Sequence, residues 1–263
     1  MKTLLAVLCA MPLLLAQTFT HDPAIQAAFE KRSLTGVFLL YDEAKDIWLT
    51  NNDSLAQTGF IPASTFKIPN SIIGLETGVI ADENFVLPWD SVARFYDAWN
   101  KDQDLAHAIK HSTVWYYQEL ARRVGEEKMK DWMQKLQYGN MDISGGIDQF
   151  WLRGGIRISP LQQIHFLRNF ATNKLPVSER SSSIVKKITI QKQGDAGTVH
   201  AKTGWGFMDE MNIGWFVGYV EKPAGNFYFA TLLIVPGNLK TFPERQEITY
   251  ELLNHFSIYP LGE

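Results

Sequence analysis

At 263 residues, with 46% apolar and 20% charged side chains, the chain can bury a sizeable core as one large domain or two closely joined lobes, which excludes a disordered or low-complexity protein. A net charge of −3 offers no basic surplus to nucleic acid or to an anionic membrane, so a small molecule is the expected partner. No repeat, Gly/Ser linker or long charge block divides the chain.

The opening "MKTLLAVLCAMPLLLA" places Lys2 before an unbroken apolar or small run, the layout of a secretory signal. A membrane helix needs about 20 apolar residues, and this run is shorter. Residues 1–18 therefore read as a cleavable leader, cut after Ala16 or Thr18, with no stable membrane anchor and a periplasmic or secreted product. Cys9 is the one cysteine and lies inside that segment, so the mature chain has no disulfide and no sulfur ligand for a metal.

Next comes a helical pattern, "PAIQAAFEKR", and then "TGVFLLYD" and "DIWLTNN", which read as a hairpin. From 61 to about 189 helical patterns dominate. In "QELARRVGEEKMKDWMQKL", Leu120, Val124, Met129, Trp132, Met133 and Leu136 recur at steps of three and four. "GTVHAKTG", "IGWFVGYV" and "NFYFATLLIV" are β-branched or aromatic runs expected as strands, and "ERQEITYELLNHF" is a closing helix. Strands at both ends with helices between them predict an α/β fold of the α+β type. An antiparallel sheet is built from both termini (19–60 and 190–263) and flanked by helices, a mainly helical lobe (61–189) is inserted, and a site lies in the cleft between them.

"PASTFKIPN" places Ser64 three residues before Lys67, a spacing that shares a face only on a helix. Pro62 suits a first helical turn, free N–H groups there stabilise negative charge, and Pro69 is expected to kink the helix. A lysine with a reference pKa near 10.4 acts as base only when burial makes it neutral. Alone the pair is weak, since about one Ser-x-x-Lys arises by chance in such a chain. Ser183 and Lys186 in "SIVK" form a second, read as an ordinary helix face.

Companions follow in order: Ser112 and Val114 in "HSTVW", Tyr138 to Asn140 in "YGN", "QFWLRGGIRIS", then Lys202, Thr203 and Gly204 in "KTGW". Lys-Thr-Gly arises by chance in under about a tenth of such chains. From about residue 30 to the C-terminus this ordered set closely resembles the class D, oxacillinase-type serine β-lactamases, relatives of the Ser-x-x-Lys penicillin-binding proteins. Val114 stands where class A enzymes and penicillin-binding proteins have Asn, and no segment resembles the class A loop with its deacylating glutamate.

The resemblance implies a serine β-lactamase/penicillin-binding transpeptidase-like fold and hydrolysis of penicillin-type β-lactams through a Ser64 acyl-enzyme. It implies no cofactor beyond carbon dioxide, taken up as a carbamate on Lys67 that is the general base of both half-reactions. Phe66 and Val114 would keep that group dry, and the Trp151 indole N–H would bind it. Backbone N–H groups of Ser64 and Trp205 would form the oxyanion hole. Ser112, bonded toward Lys202, would pass a proton to the lactam nitrogen, and Thr203, Gly204 and Arg245 would bind substrate. Tyr138 and Asn140 are assigned to the cleft wall, and "WGFMDEMN", with Asp209 and Glu210, borders the substrate.

Taken singly, Trp151 would be one core tryptophan of eight, and Arg245 a helix-end surface charge. His107 and His111 have helical spacing but lack the Glu of His-Glu-x-x-His, so no metal site is expected. The rival reading is a β-lactam sensor or penicillin-binding domain that is acylated at the same serine without hydrolysing the adduct.

Overall fold

Strand-forming residues at the two ends of the chain meet in one sheet. The computed structural model describes residues 17–237 and 243–260, so the expected leader, apart from Gln17 and Thr18, falls outside the described residues. Strands β1 (Thr20–His21), β2 (Thr35–Asp42), β3 (Ile47–Thr50), β4 (Ile190–Gly194), β5 (Gly197–Met208), β6 (Met211–Glu221) and β7 (Phe227–Pro236) lie in the order β1-β3-β2-β7-β6-β5-β4. All pairings are antiparallel except the two-residue contact of β1 with β3. The expected antiparallel α/β architecture is therefore present, with that short parallel edge as its one departure.

Side chains alternate between the two faces of each strand. Phe38 and Leu40 of β2, with Phe216 and Phe229, pack under the terminal helices Pro23–Glu30 and Glu244–His255, against Phe29, Ile248 and Leu252. Val37, Leu39 and Tyr41 face the other way and join Trp215 and Leu232 in a core that continues into the helices between residues 67 and 188. Burial on both faces is why these strands read as continuous apolar runs rather than alternating ones.

Two expectations need correction. The single helical run read from Gln118 to Leu136 is two helices, Val114–Val124 and Glu126–Leu136. Gly125 separates them at φ +80°, a conformation available to a residue without a β-carbon. Pro69 does not kink its helix, because it is the third residue of Lys67–Glu76, in the first turn, where a missing N–H forfeits no bond. A 3₁₀ turn, Ala63–Phe66, precedes it.

Candidate active site

Ser64 lies in that 3₁₀ turn and Lys67 opens the following helix, so the two side chains meet one turn apart. Lys67 Nζ donates to Ser64 Oγ at 2.8 Å. Lys67 itself is wholly buried, with its Nζ 5.2 Å from the centre of the Tyr117 ring. Burial, then repulsion from Lys202, holds its pKa well below the usual lysine range and favours the neutral amine. Ala63, just ahead of the serine, takes φ +49°, a conformation that costs a non-glycine residue about 1–2 kcal/mol.

Strand β5 packs directly against this turn. A β-carbon on Gly204 would stand 3.0 Å from Pro62 O and 3.1 Å from Thr65 Cγ2, so the glycine permits the approach. Lys202, just before it, donates to Ser112 Oγ at 3.1 Å, to Thr203 O at 3.0 Å and to Thr203 Oγ1 at 3.3 Å. Burial and the nearby Arg245 bring Lys202 down to about 7. Arg245 is lowered by burial to about 10, and its guanidinium lies 5.5 Å from the centre of the Trp205 ring. Arg245 depresses Lys202, and Lys202 depresses Lys67, so the cleft favours an anion.

Strand alternation aims a second set of donors. The Ala201 N–H leaves β5 on the β4 side and reaches Thr189 O at 3.0 Å, and the pairing of β4 with β5 ends at Ile190 and His200. Pairing with β6 runs unbroken from Thr198 to Met208, so the backbone groups of Thr203 and Trp205 project on the same side as those of Ala201. Past the end of β4, that edge borders the cleft.

A cavity of about 390 Å³ collects Ser64, Ser112 and Val114 with Thr203, Gly204, Trp205 and Arg245. Tyr96, Trp99 and His111 complete its wall; no motif marked Tyr96 or Trp99 in the sequence, and His111 was weighed there only as a metal ligand. Val114 is half-buried, whereas Phe66 and Trp151 are fully buried behind the cavity, their rings stacked at 5.4 Å. The Trp151 Nε1 donor is buried with no hydrogen-bond partner. Such a group costs about 1–3 kcal/mol and calls for an acceptor that the amino acids alone do not supply.

Tyr138 and Asn140 do not line the cavity, contrary to expectation. Tyr138 is wholly buried behind the serine turn, within 3.4 Å of Thr65 Oγ1 and Gln163 Oε1. Asn140 bridges backbone outside the cavity, donating to Gly155 O and accepting from Arg157 N. Lys186 of the second Ser-x-x-Lys donates to Ala171 O and Asn173 Oδ1 instead of to a serine. The His107 and His111 rings stack at 4.2 Å. Among the described residues no group of three His, Cys, Asp or Glu side chains could hold a metal, and no helix is long and apolar enough to cross a membrane.

Comparison with known proteins agrees with this geometry. The penicillin-binding protein transpeptidase domain family matches residues 21–254. Beta-lactamase OXA-48 of Klebsiella pneumoniae is 42% identical over 257 residues, covering 98% of this chain and 96% of the relative. The probable beta-lactamase YbxI of Bacillus subtilis is 41% identical over 229 residues, covering 87% and 84%. The crystal structure of FUS-1 (OXA-85), a class D beta-lactamase from Fusobacterium nucleatum subsp. polymorphum, superposes with a TM-score of 0.88 at 36% identity, covering 91% of this chain and 99% of that one.

Proposed function

The chain belongs to the class D serine β-lactamases, and from that premise we propose how its own residues open the lactam ring and release the product. The enzyme hydrolyses β-lactams and thereby confers resistance to them.

In this reading Ser64 is the nucleophile, its Oγ 2.8 Å from Lys67 Nζ. The buried, neutral amine of Lys67 has the chemistry to take up carbon dioxide, and the unpartnered Trp151 indole N–H is a donor suited to holding the resulting carboxylate. Phe66 and Val114 exclude water around it. When present, the carbamate supplies an anionic base for serine attack and for the deacylating water. Thr203, Arg245 and the positive field of the cleft bind the substrate carboxylate, for which a guanidinium provides a bidentate partner. Backbone N–H groups of Ser64 and Trp205 receive the oxyanion. Ser112, held by Lys202, hands a proton to the departing lactam nitrogen.

The observation that carries this reading is a fully buried lysine bonded to a half-buried serine, in a core that also holds an orphaned indole donor. Intact mass spectrometry of protein quenched during penicillin turnover tests it. An adduct on Ser64 that disappears within seconds supports the route, and one that persists for hours contradicts it. The leader supports export to the periplasm or beyond. An exported protein beginning at Gln17 or Phe19 is the expected result, and a cytosolic chain that keeps Met1 would contradict it.

A further inference from the structure

Ser112 sits at φ +55°, the left-handed region, between helices Leu105–Lys110 and Val114–Val124. A serine stays there only when its surroundings hold it. Both neighbours are tied down. Trp99 Nε1 donates to His111 O at 2.9 Å, and Thr113 N donates to Ala108 O at 2.8 Å.

Thr113 breaks a local rule. It occupies the N-cap of Val114–Val124, where a threonine hydroxyl ordinarily accepts from the helix's own N–H groups, an interaction worth about 1 kcal/mol. Asp104, Ser159 and Ser178 do this for their helices. Thr113 makes no such bond; its buried hydroxyl donates instead to Gln103 Oε1 at 2.6 Å. The Gln103 side chain is buried and bonded at both its oxygen and its nitrogen. Its Oε1 also lies 3.2 Å from His107 Nδ1, and its Nε2 donates to Ala98 O at 2.8 Å. A hydroxyl can donate and accept at once, so a hydroxyl turned to a buried amide and away from the helix N–H groups points to a position being enforced rather than a helix being started.

We propose that Gln103 is a positioning residue for β-lactam opening: through the Thr113 hydroxyl its amide holds Ser112 in the left-handed turn from which Oγ meets Lys202. This rests on the assignment of Ser112 as the donor to the lactam nitrogen, a step that belongs to acylation. Loss of the hydrogen bond therefore slows ring opening and leaves release of the acyl group alone.

Pre-steady-state hydrolysis of a chromogenic cephalosporin separates the two rates. In Thr113→Val, nearly isosteric, and in Gln103→Met, acylation falls about 10- to 100-fold, the effect of a reacting group misplaced by roughly 1 Å. Deacylation changes less than about twofold, and Thr113→Ser, which keeps the hydroxyl, restores acylation. In a Ser112→Ala background, Thr113→Val adds less than about twofold, because the group it positions is already gone. Unchanged acylation in both variants, or full multiplicative slowing in the Ser112→Ala background, overturns the inference while leaving the role of Ser112 standing. Wild-type acylation by Ser112→Ala itself removes the proton route, and the inference with it.

Discussion

Lys202 Nζ donates to Ser112 Oγ across 3.1 Å, joining a sheet strand to the turn between two helices that are 90 residues away in sequence. The lysine making this bond is nearly inaccessible, and its charge is disfavoured there. Between about pH 7 and the unfolded lysine value near 10.4, the unfolded chain holds more protons at this residue than the folded one. Stability from this residue therefore rises with pH across that window. Lys202→Met lacks the dependence, so it is more stable than the wild type near pH 7, by on the order of 1 kcal/mol, and the gap narrows toward pH 10. Urea unfolding at both pH values checks this; a gap that widens with pH contradicts it. The same variant loses most of its activity.

In the proposed mechanism the indole of Trp151 serves through its N–H rather than its bulk. Trp151→Phe keeps an aromatic ring against Phe66 and removes the orphaned donor. Deacylation is expected to slow more than acylation, and activity to depend more steeply on added bicarbonate. Equal slowing of both steps would mean that the ring only packs.

Gly204 sets the distance between β5 and the nucleophile. In Gly204→Ala the new β-carbon meets Pro62 backbone at 3.0 Å, and either the strand or the serine turn must yield. Overpacking of this kind costs about 1–3 kcal/mol, and a displaced oxyanion donor lowers kcat/KM by about 100-fold. Thermal unfolding and steady-state kinetics on the same preparation test both effects.

The proposed role of Arg245 is in binding the substrate carboxylate. Its loss in Arg245→Ala removes a charge-assisted contact worth roughly 1.5–3 kcal/mol, so KM rises about 10- to 100-fold while kcat changes little. A fall in kcat at constant KM would place the guanidinium's effect in the transition state instead.

Much of this was legible in the sequence because the chemistry sits in short, ordered motifs. Ser64 and Lys67 share a helical face, and Lys202 to Gly204 lie on a strand whose apolar pattern is plain. The break at Gly125 was hidden because the apolar steps keep helical spacing across it. Tyr138 was misplaced because a motif gives chain order, not the side of the serine on which its aromatic ring packs. Tyr96 and Trp99 carry no motif; they reach the cavity through a loop whose path depends on tertiary hydrogen bonds such as that from Trp99 Nε1 to His111 O.

The most direct test of the central claim is turnover of a chromogenic β-lactam by the purified mature protein, followed over many cycles in carbon-dioxide-depleted buffer and again with bicarbonate. Sustained turnover that bicarbonate raises, and that decays without it, is the predicted result for a lysine base completed by carbon dioxide. Full, sustained turnover in depleted buffer, unchanged by bicarbonate, would contradict it and leave the unmodified Lys67 amine as the base.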